Sequence, residues 1–390
     1  MSIAENHGGL YQNLRQLRET DGQHPCNLFR AMGLDYRFVK NGNDIGEMIA
    51  MLQEVKDIDH PVVVHMVTQK GKGYALAEQN KENWHWCMPF DLETGKSTVS
   101  FDGPDYGTMT ADFLLKKMKA DPKVVAVTAA VPAVFGFTAE KREEAGSQFV
   151  DVGIAEEHAI ALSSGIAAAG GKPVFATYSS FIQRTFDQLS QDLCINQNPA
   201  TVLIFAASVY GMNDVTHLGI YDIPLISNIP NMVYLAPTNQ EEYFAMLEWS
   251  MKQTAHPVAI RVPANGVLPA GAQPAQDYSQ LNQYQVTQKG SQVAILALGD
   301  FYQMGEAAAK LLEEKTGTTP TLINPRFITG QDTDLLESLK QEHRVIVTLE
   351  DGILDGGFGE KIARFYGAED TKVLNFGLKK EFLDRYRLED

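Results

Sequence analysis

The chain has 390 residues, of which 44% are hydrophobic and 21% are charged, and its formal net charge is −16. The length predicts two or three domains, and the composition is that of a globular protein. The acidic balance argues against nucleic acid as the main partner, because phosphate backbones are bound by basic surfaces. No apolar run reaches the roughly 18 residues of a membrane span, and the N-terminal residues lack the pattern of a signal peptide, so we expect a cytoplasmic protein with no membrane partner.

Cysteine and metal-binding patterns exclude several kinds of site. Cys26, Cys87 and Cys194 lie far apart and form no CxxC pair, so we predict reduced thiols and neither a disulfide framework nor a zinc site. The sequence contains no HExxH, GxSxG or GxxxxGK[ST] pattern. We therefore predict no set of metal ligands in this chain.

Residues 1–104 begin as half of a βαβ unit. The segment "DIGEMIAMLQEVKDI" has apolar residues at helical spacing. The β-branched run "VVVHMVT" (62–68) is typical of a strand buried on both faces. The charged and aromatic stretch at 71–105 is predicted to be a linker or a loop that forms a site.

Residues 105–265 predict a second α/β unit. It begins with the amphipathic helix "TADFLLKKMKA". Its predicted strands are "VVAVTAA" (124–130), "FVDVGI" (149–154), "KPVFATY", "ATVLIFAAS", "NMVYLAP" and "HPVAIRVP". Its further predicted helices are "AEEHAIALSSGIAAAGG" and "NQEEYFAMLEWSMKQ".

A linker rich in Pro, Gly and Ala leads to a third α/β unit at residues 285–390. Its predicted strands are "SQVAILALG", "TPTLINP", "HRVIVTLE" and "TKVLNFG", and its predicted helices are "YQMGEAAAKLLEEKTG" and "GFGEKIARFYG". Because strands and helices alternate, we predict an α/β fold of three units of parallel sheet covered by helices. Ligands of such sheets bind beyond the carboxyl ends of the strands.

The segment "VGIAEEHAI" (152–160) places Glu156, Glu157 and His158 at the start of a helix that follows a strand. An acid in the first helical turn is most simply explained by the helix dipole, and this explanation suits Glu157. Glu156 lies one turn before Ala159 and shares its inward face. It is therefore predicted to be a buried acid that shares a proton with a ligand nitrogen. His158 is predicted to support the helix.

The segment "ATYSSFIQRTFDQLSQD" carries Tyr178, Phe181 and Arg184 at intervals of three residues. If the segment is a helix, ordinary packing with a partly buried Arg stem explains the spacing, and the spacing alone favours this explanation. The alternative is an aromatic face on which a heterocycle stacks, with the guanidinium fixing its edge.

The loop "GMNDVTHLG" (211–219) contains Asn213, Asp214, Thr216 and His217. A solvated loop is the simplest explanation, but a His at a strand end is also a candidate for holding a substrate oxygen or phosphate. The segment "TQKGKGYALAE" (68–78) lacks the spacing of a phosphate-binding loop, and the glycine-rich "ILDGGFG" (353–359) suits a helix start better than a dinucleotide site.

Taken together, these segments resemble the transketolase-type enzymes that use thiamine diphosphate. The stretches "FVDVGIAEEHAIALSSGIAAAGGKPVFATYSSFIQRTFDQLSQD", "VTHLG", "IPNMVYLAPTNQEE" and "HPVAIRVP" resemble the pyrimidine-binding domain of that family, and the third unit resembles its C-terminal domain. "KGKGY", followed by His85 and "FD", resembles the end of the first domain in the 1-deoxy-D-xylulose-5-phosphate synthases. The resemblance covers essentially the whole chain.

The resemblance implies a thiamine-diphosphate- and Mg2+-dependent homodimer that joins pyruvate, after loss of CO2, to D-glyceraldehyde 3-phosphate. The product feeds isoprenoid, thiamine and pyridoxal precursors. Glu156 would bond N1′ of the aminopyrimidine, Phe181 would stack on that ring, and Arg261 would bind the acceptor's phosphate. The implied catalytic residues are Glu156, His217 and His85. The implied cofactor contacts are Glu156, Tyr74, Phe181, Tyr178 and Arg184, and the implied substrate contacts are Arg261, His217 and Tyr178.

The sequence departs from the family pattern in three places. The family's GDG…N motif, which binds Mg2+ and the diphosphate, is absent, and the resemblance implies that more than a hundred residues precede the position of Met1. The family's "DRAG" is "FAAS" (205–208), which puts Ala206 in place of an arginine, and its "GADG" acid is Asn213. The family's "DGHD" is "NGND" (41–44). We therefore expect this chain alone to bind thiamine diphosphate weakly and to turn over little.

These departures leave alternatives open. The chain could be another transketolase-family enzyme, either a transketolase or the decarboxylating component of a 2-oxo acid dehydrogenase. It could also be a non-catalytic partner subunit whose missing motif comes from another polypeptide.

Overall fold

The computed structural model describes residues 9–99, 103–209, 215–263, 265–268 and 274–385. The contacts divide the chain into two compact units, Met1–Asp102 and Gly103–Asp390. The second unit contains both of the later α/β regions predicted from the sequence.

The helices and strands are numbered in chain order over the described residues. The helices, α1 to α13, are Gly9–Glu19, Leu28–Ala31, Ile45–Val55, Ala75–Gln79, Tyr106–Ala120, Ala139–Ala145, Glu156–Ala168, Phe186–Gln188, Asp222–Ile226, Gln240–Lys252, Tyr302–Thr316, Thr333–Leu339 and Phe358–Phe365. The strands, β1 to β13, are Asp35–Val39, Val62–Met66, Val124–Thr128, Phe149–Asp151, Lys172–Tyr178, Thr201–Ala207, Val233–Leu235, Val258–Pro263, Gln285–Gln288, Gln292–Ala297, Thr321–Asn324, His343–Ile353 and Lys372–Leu378.

The first unit contains a parallel pair of strands, β1 and β2, in which Asp35 lies opposite Val62. The Asp44 side chain accepts a hydrogen bond from the backbone N–H of Glu47 and so caps α3. Every residue of β2 is only half-buried. The prediction that this strand is buried on both faces was therefore wrong, because the sheet of the described residues has too few strands and helices to cover a β-branched run.

The second unit contains two larger sheets. One has six parallel strands in the order β4-β3-β5-β6-β8-β7, and its central strand β6 is buried along its whole length. The other has the order β13-β12-β10-β11-β9. Strand β9, which the sequence analysis did not predict, runs antiparallel to β11 as a short edge strand. The alternation of strands and helices did not reveal it because β9 follows the linker without a crossover helix of its own.

The two sheets of the second unit share one apolar core. Ile204 and Tyr234 from the six-stranded sheet belong to the same buried cluster as Ile323 and Ile346 from the five-stranded sheet. Each fully buried side chain of this kind contributes about 1.5–3 kcal/mol of transfer free energy. This shared core explains why two regions separated by a linker in the sequence form one compact unit.

Candidate active site

Glu156 is the first residue of α7, directly beyond the carboxyl end of β4. The turn before it depends on Asp151, whose carboxylate accepts hydrogen bonds from the backbone N–H groups of Ala130 at 2.8 Å and Gly153 at 2.9 Å. Gly153 has φ 77°, a conformation that few other residues adopt readily. The Glu156 side chain is 2% exposed, as predicted, whereas His158 is exposed.

The segment after β5 holds the guanidinium that contacts Glu156. Arg184 Nη1 donates to Glu156 Oε2 at 3.1 Å, and the Arg184 side chain is 53% exposed. The spacing is compatible with a helix here, but the structure has a 3-10 turn at Ile182–Thr185, the short α8 and a π-helical turn at Leu189–Cys194. A 3-10 turn has three residues per turn, so residues three apart lie on one side of it.

Three rings form a cluster beside this segment. The ring centroids of Tyr178 and Phe181 lie 5.2 Å apart, and the His217 ring lies 5.7 Å from Tyr178 and 5.4 Å from Phe181. Burial raises the pKa of the Tyr178 hydroxyl. His217 ends a 3-10 turn, Val215–His217, and its Nδ1 lies 2.8 Å from the Thr216 hydroxyl. The fold therefore brings Glu156, Tyr178, Phe181, Arg184 and His217 together.

Arg261 has a different environment from the one implied by the resemblance. It lies in β8, its side chain is 4% exposed, and its Nε donates to Asp222 Oδ2 at 2.6 Å. Nη1 donates to Asp351, and Nη2 donates to Asp222 Oδ1 and the Gly219 carbonyl, each at 3.2 Å. The structure thus encloses Arg261 in a buried ionic network and not on a surface that a phosphate could reach. Sequence spacing could not reveal this, because its partners come from distant segments.

Three acids near the strand ends of the second unit were not singled out from the sequence: Asp222, Glu350 and Asp351. All three are buried. For Glu350 and Asp351, the signal that could have found them is "LEDG" (349–352), which overlaps the end of the predicted strand "HRVIVTLE", since charged residues are rarely buried without a partner.

Tyr74 and His85 lie in the first unit. The Tyr74 hydroxyl donates to the Leu92 carbonyl at 3.1 Å, and its ring packs against Trp84 and Phe90 at 5.0 and 5.7 Å. Lys70 Nζ lies 2.5 Å from His85 Nδ1.

No group of three or more His, Cys, Asp or Glu side chains that could hold a metal ion occurs among the described residues. Asn213 and Asp214 lie outside the described residues. Cys26, Cys87 and Cys194 are free thiols. Within the described ranges, no helix is long and apolar enough to cross a membrane.

Comparison with known proteins shows what the chain is similar to. Three family models match: "1-deoxy-D-xylulose-5-phosphate synthase" over residues 8–68, "Transketolase, pyrimidine binding domain" over 102–267, and "Transketolase, C-terminal domain" over 282–389. A 1-deoxy-D-xylulose-5-phosphate synthase of Clostridium perfringens is 38% identical over 92% of this chain. Along most of its length the chain is similar to 1-deoxy-D-xylulose-5-phosphate synthases, and its second unit matches both transketolase domains. It spans 58% of the Clostridium perfringens relative's length and 62% of that of a Clostridium tetani relative, which is 33% identical over 98% of this chain.

Solved structures agree with the transketolase-like fold. A split-gene transketolase, solved as an inactive tetramer of four beta subunits, matches with a TM-score of 0.60 and 22% identity, over 72% of this chain and 91% of that chain. A Pichia stipitis transketolase with sedoheptulose 7-phosphate matches with a TM-score of 0.58 and 18% identity, over 78% of this chain and 44% of that chain. The predicted α/β fold class is confirmed.

The residues around Glu156 fit the aminopyrimidine end of thiamine diphosphate. A buried carboxylate suits a ring nitrogen, and the rings of Tyr178 and Phe181 offer apolar faces. The hydroxyls of Ser179 and Ser180 and Oε1 of Gln188 are buried and have no hydrogen-bond partner among the described residues. Unpartnered buried polar atoms usually indicate a missing ligand or water. Among the described residues, no group of three or more His, Cys, Asp or Glu side chains is placed to hold a metal ion beside it.

Proposed function

We propose that the protein takes part in the thiamine-diphosphate-dependent synthesis of 1-deoxy-D-xylulose 5-phosphate from pyruvate and D-glyceraldehyde 3-phosphate, with loss of CO2. The observation that carries this proposal is the buried Glu156 at the carboxyl end of the sheet, held by Arg184 beside an aromatic cluster. Similarity to the synthases suggests the reaction, and the geometry supplies the residues that would support it.

Glu156 is the proton partner in this proposal. A carboxylate with one charge-assisted bond from Arg184 has further acceptor capacity, which N1′ of an aminopyrimidine can use. Thiamine diphosphate, when bound, supplies the carbanion chemistry that joins the two substrates. Glu156 holds or releases a proton at N1′, and Arg184 orients the carboxylate.

The other residues position the ligands. Phe181 and Tyr178 present ring faces to the heterocycle, and His217, packed on both rings, donates or accepts a hydrogen bond at a substrate oxygen. Tyr74 and His85 are proposed to contact the cofactor and the reacting carbons. We do not assign Arg261 to the acceptor phosphate, because both of its carboxylate partners would have to be displaced first.

The metal, the oligomeric form and the role of the product are also proposals. We propose Mg2+ as the partner of the diphosphate, a cytoplasmic homodimer as the working form, and supply of isoprenoid and thiamine precursors as the role of the product. Because described residues 9–99, 103–209, 215–263, 265–268 and 274–385 show no metal-ligand cluster, we still expect the 390-residue chain alone to bind thiamine diphosphate weakly.

A second candidate is another transketolase-type reaction. Ala206 occupies the position of a family arginine and has φ 53°, at a register shift in β6. A strand end that lacks a cation in this place would suit an acceptor other than D-glyceraldehyde 3-phosphate.

The proposal is tested with a chimera. In this chimera, the segment of the Clostridium perfringens synthase that has no counterpart in this chain is joined to this chain. We expect the chimera to release CO2 from pyruvate only when D-glyceraldehyde 3-phosphate is present, and to form the pentulose phosphate. Glu156→Gln should keep the fold by circular dichroism and lower the rate at least about 100-fold, the scale of general acid–base assistance. Asp187→Asn, a nearby carboxylate change, is the matched control.

Two outcomes would contradict the proposal. Turnover of a ketose donor with an aldose, but not of pyruvate, would favour the transketolase alternative. An inactive, correctly folded chimera, with the intact relative active in the same assay, would favour a non-catalytic partner role.

A further inference from the structure

The segment 215–223, which carries His217, is held at the Gly219 carbonyl. This oxygen accepts hydrogen bonds from the backbone N–H of Ser208 at 2.8 Å and from Arg261 Nη2 at 3.2 Å. Arg261 also binds the Asp222 carboxylate with Nε and Nη2, at 2.6 and 3.2 Å. One buried guanidinium therefore fixes two points of the segment, two and five residues after His217.

The C-terminal sheet holds the same segment from another direction. The backbone N–H of Ile353, at the end of β12, donates to the Ile220 carbonyl at 3.0 Å. Leu218, Ile220 and Ile353 form a small buried apolar cluster. Asp351, two residues before Ile353, binds Nη1 of Arg261.

The end of β6 lies so close to Gly219 that only a glycine fits at this position. A Cβ atom at position 219 would collide with the carbonyl oxygen of Ala206. Ala206 and Ser208 have φ values of 53° and 93°, which cost free energy for residues other than glycine. The Ser208 hydroxyl donates to Asp300 Oδ2 at 2.9 Å. Strained backbone of this kind persists only where surrounding contacts hold it.

We propose that Arg261 is a positioning residue: through Gly219 and Asp222 it fixes the segment 215–223 and hence the His217 ring, and through Asp351 it makes this placement depend on the C-terminal sheet. Arg261 acts through the backbone, since the ring contacts of His217 are with Tyr178 and Phe181. The planar guanidinium is suited to this role because it donates in several directions at once. A lysine would keep the charge but could not reach both carboxylates and the carbonyl together.

The catalytic meaning of this proposal rests on the proposed role of His217, so the first experiment reads geometry without turnover. Hydrogen exchange is measured by mass spectrometry on the 390-residue chain and on Arg261→Lys. We expect amides of 215–226 to exchange at least about tenfold faster, while amides of β3 and β5 change less than about twofold. Asp351→Asn should loosen the same segment and carries the test if Arg261→Lys does not fold.

The matched control is Lys172→Met, which breaks the 2.8 Å ion pair of Lys172 with Asp121 at the start of β5. It should leave exchange at 215–226 unchanged. Unchanged exchange at 215–226 in both Arg261→Lys and Asp351→Asn would overturn the proposal. A uniform increase across the whole unit would also overturn it, because that result indicates a role in global stability alone.

A second readout tests the link to His217. In the active chimera, Arg261→Lys should lower kcat about tenfold with His217 present and have almost no further effect in a His217→Gln background. Additive effects in this double-mutant cycle would refute the link. If the chimera has no activity, the proposed function fails, but the exchange result still decides the positioning role.

Discussion

Glu350 shows how burial and a helix start act in opposite directions on one carboxyl group. It is 0% exposed, and it accepts hydrogen bonds from the backbone N–H groups of Phe358 at 2.8 Å and Gly359 at 2.7 Å, in the first turn of α13. These bonds favour the charged form, but burial disfavours it more strongly. The net result is a pKa raised from its ordinary value near 4.5 to about 7.

This raised pKa predicts a pH-dependent stability. The folded state binds the Glu350 proton more tightly than the unfolded state does, so its contribution is fully present below about pH 4.5 and is lost as the pH rises to about 7. A shift of this size corresponds to at most about 3 kcal/mol. Urea unfolding of the wild type and Glu350→Gln at pH 5 and pH 8 measures it.

The expected result is that the stability difference between these two proteins moves in favour of Glu350→Gln as the pH rises. Glu314→Gln, at an exposed site on α11, should show no such movement. A difference that is constant with pH would show that Glu350 titrates near its ordinary pKa.

Two helix starts illustrate the difference between a structural element and a functional one. α5 begins after Asp105, whose side chain accepts from the backbone N–H of Thr108 at 2.8 Å. α7 begins after Ala155, which has no side-chain cap, although Glu156 and Glu157 occupy its first turn. A helix start that lacks a cap has backbone N–H groups available for another partner. The candidate active site is therefore located at the less stabilised of the two helix starts.

We predict opposite effects from substitutions at these two positions. Asp105→Ala should lower the free energy of unfolding by about 0.5–2 kcal/mol, the usual effect of removing a cap, without changing cofactor binding. Ala155→Ser should raise it by up to about 1 kcal/mol. Differential scanning calorimetry of each variant checks both directions.

The cap added by Ala155→Ser should also affect cofactor binding. In the chimera, Ala155→Ser should weaken thiamine diphosphate binding, because a capped helix start beside Glu156 competes with the ligand. If Ala155→Ser stabilises the protein and leaves affinity unchanged, the absence of a cap has no functional meaning.

At the scale of the whole molecule, the first unit differs from the second in how much apolar surface it covers. None of the residues of α3 is buried, and Ile45, Ile49 and Leu52 are 71%, 50% and 48% exposed along one face. β1 and β2 have no other strand beside them within the described residues. An exposed apolar stripe and an unpaired sheet edge both favour association.

We predict that the purified chain self-associates through this stripe. The double variant Ile49→Lys, Leu52→Glu should reduce the mass-average size in sedimentation velocity without lowering the melting temperature by more than a few degrees. Ile195→Lys changes an equally exposed but isolated side chain of the second unit and is the control. Equal association of the wild type and the double variant would contradict the prediction.

Most of the second unit follows from the sequence because β-branched runs bounded by glycines specify buried parallel strands. "ATVLIFAAS" predicts β6, and "AEEHAIALSSGIAAAGG" predicts α7 with Glu156 on its inward face. Local periodicity missed β1 and β9, since both are short and partly polar, and it did not identify the 3-10 and π-helical turns between β5 and β6.

The sequence by itself determined the α/β fold class and the burial of Glu156, because both depend on local patterns. Tertiary structure brought Arg184 to Glu156, since Glu156 follows β4 and Arg184 follows β5, and β3 lies between these two strands. Only the tertiary structure decided the surroundings of Arg261. Its partners, Gly219, Asp222 and Asp351, come from segments up to 90 residues away in the chain, and a buried charge is defined by the groups that fold around it. The same long-range packing joined the second and third α/β regions into one unit with a shared core.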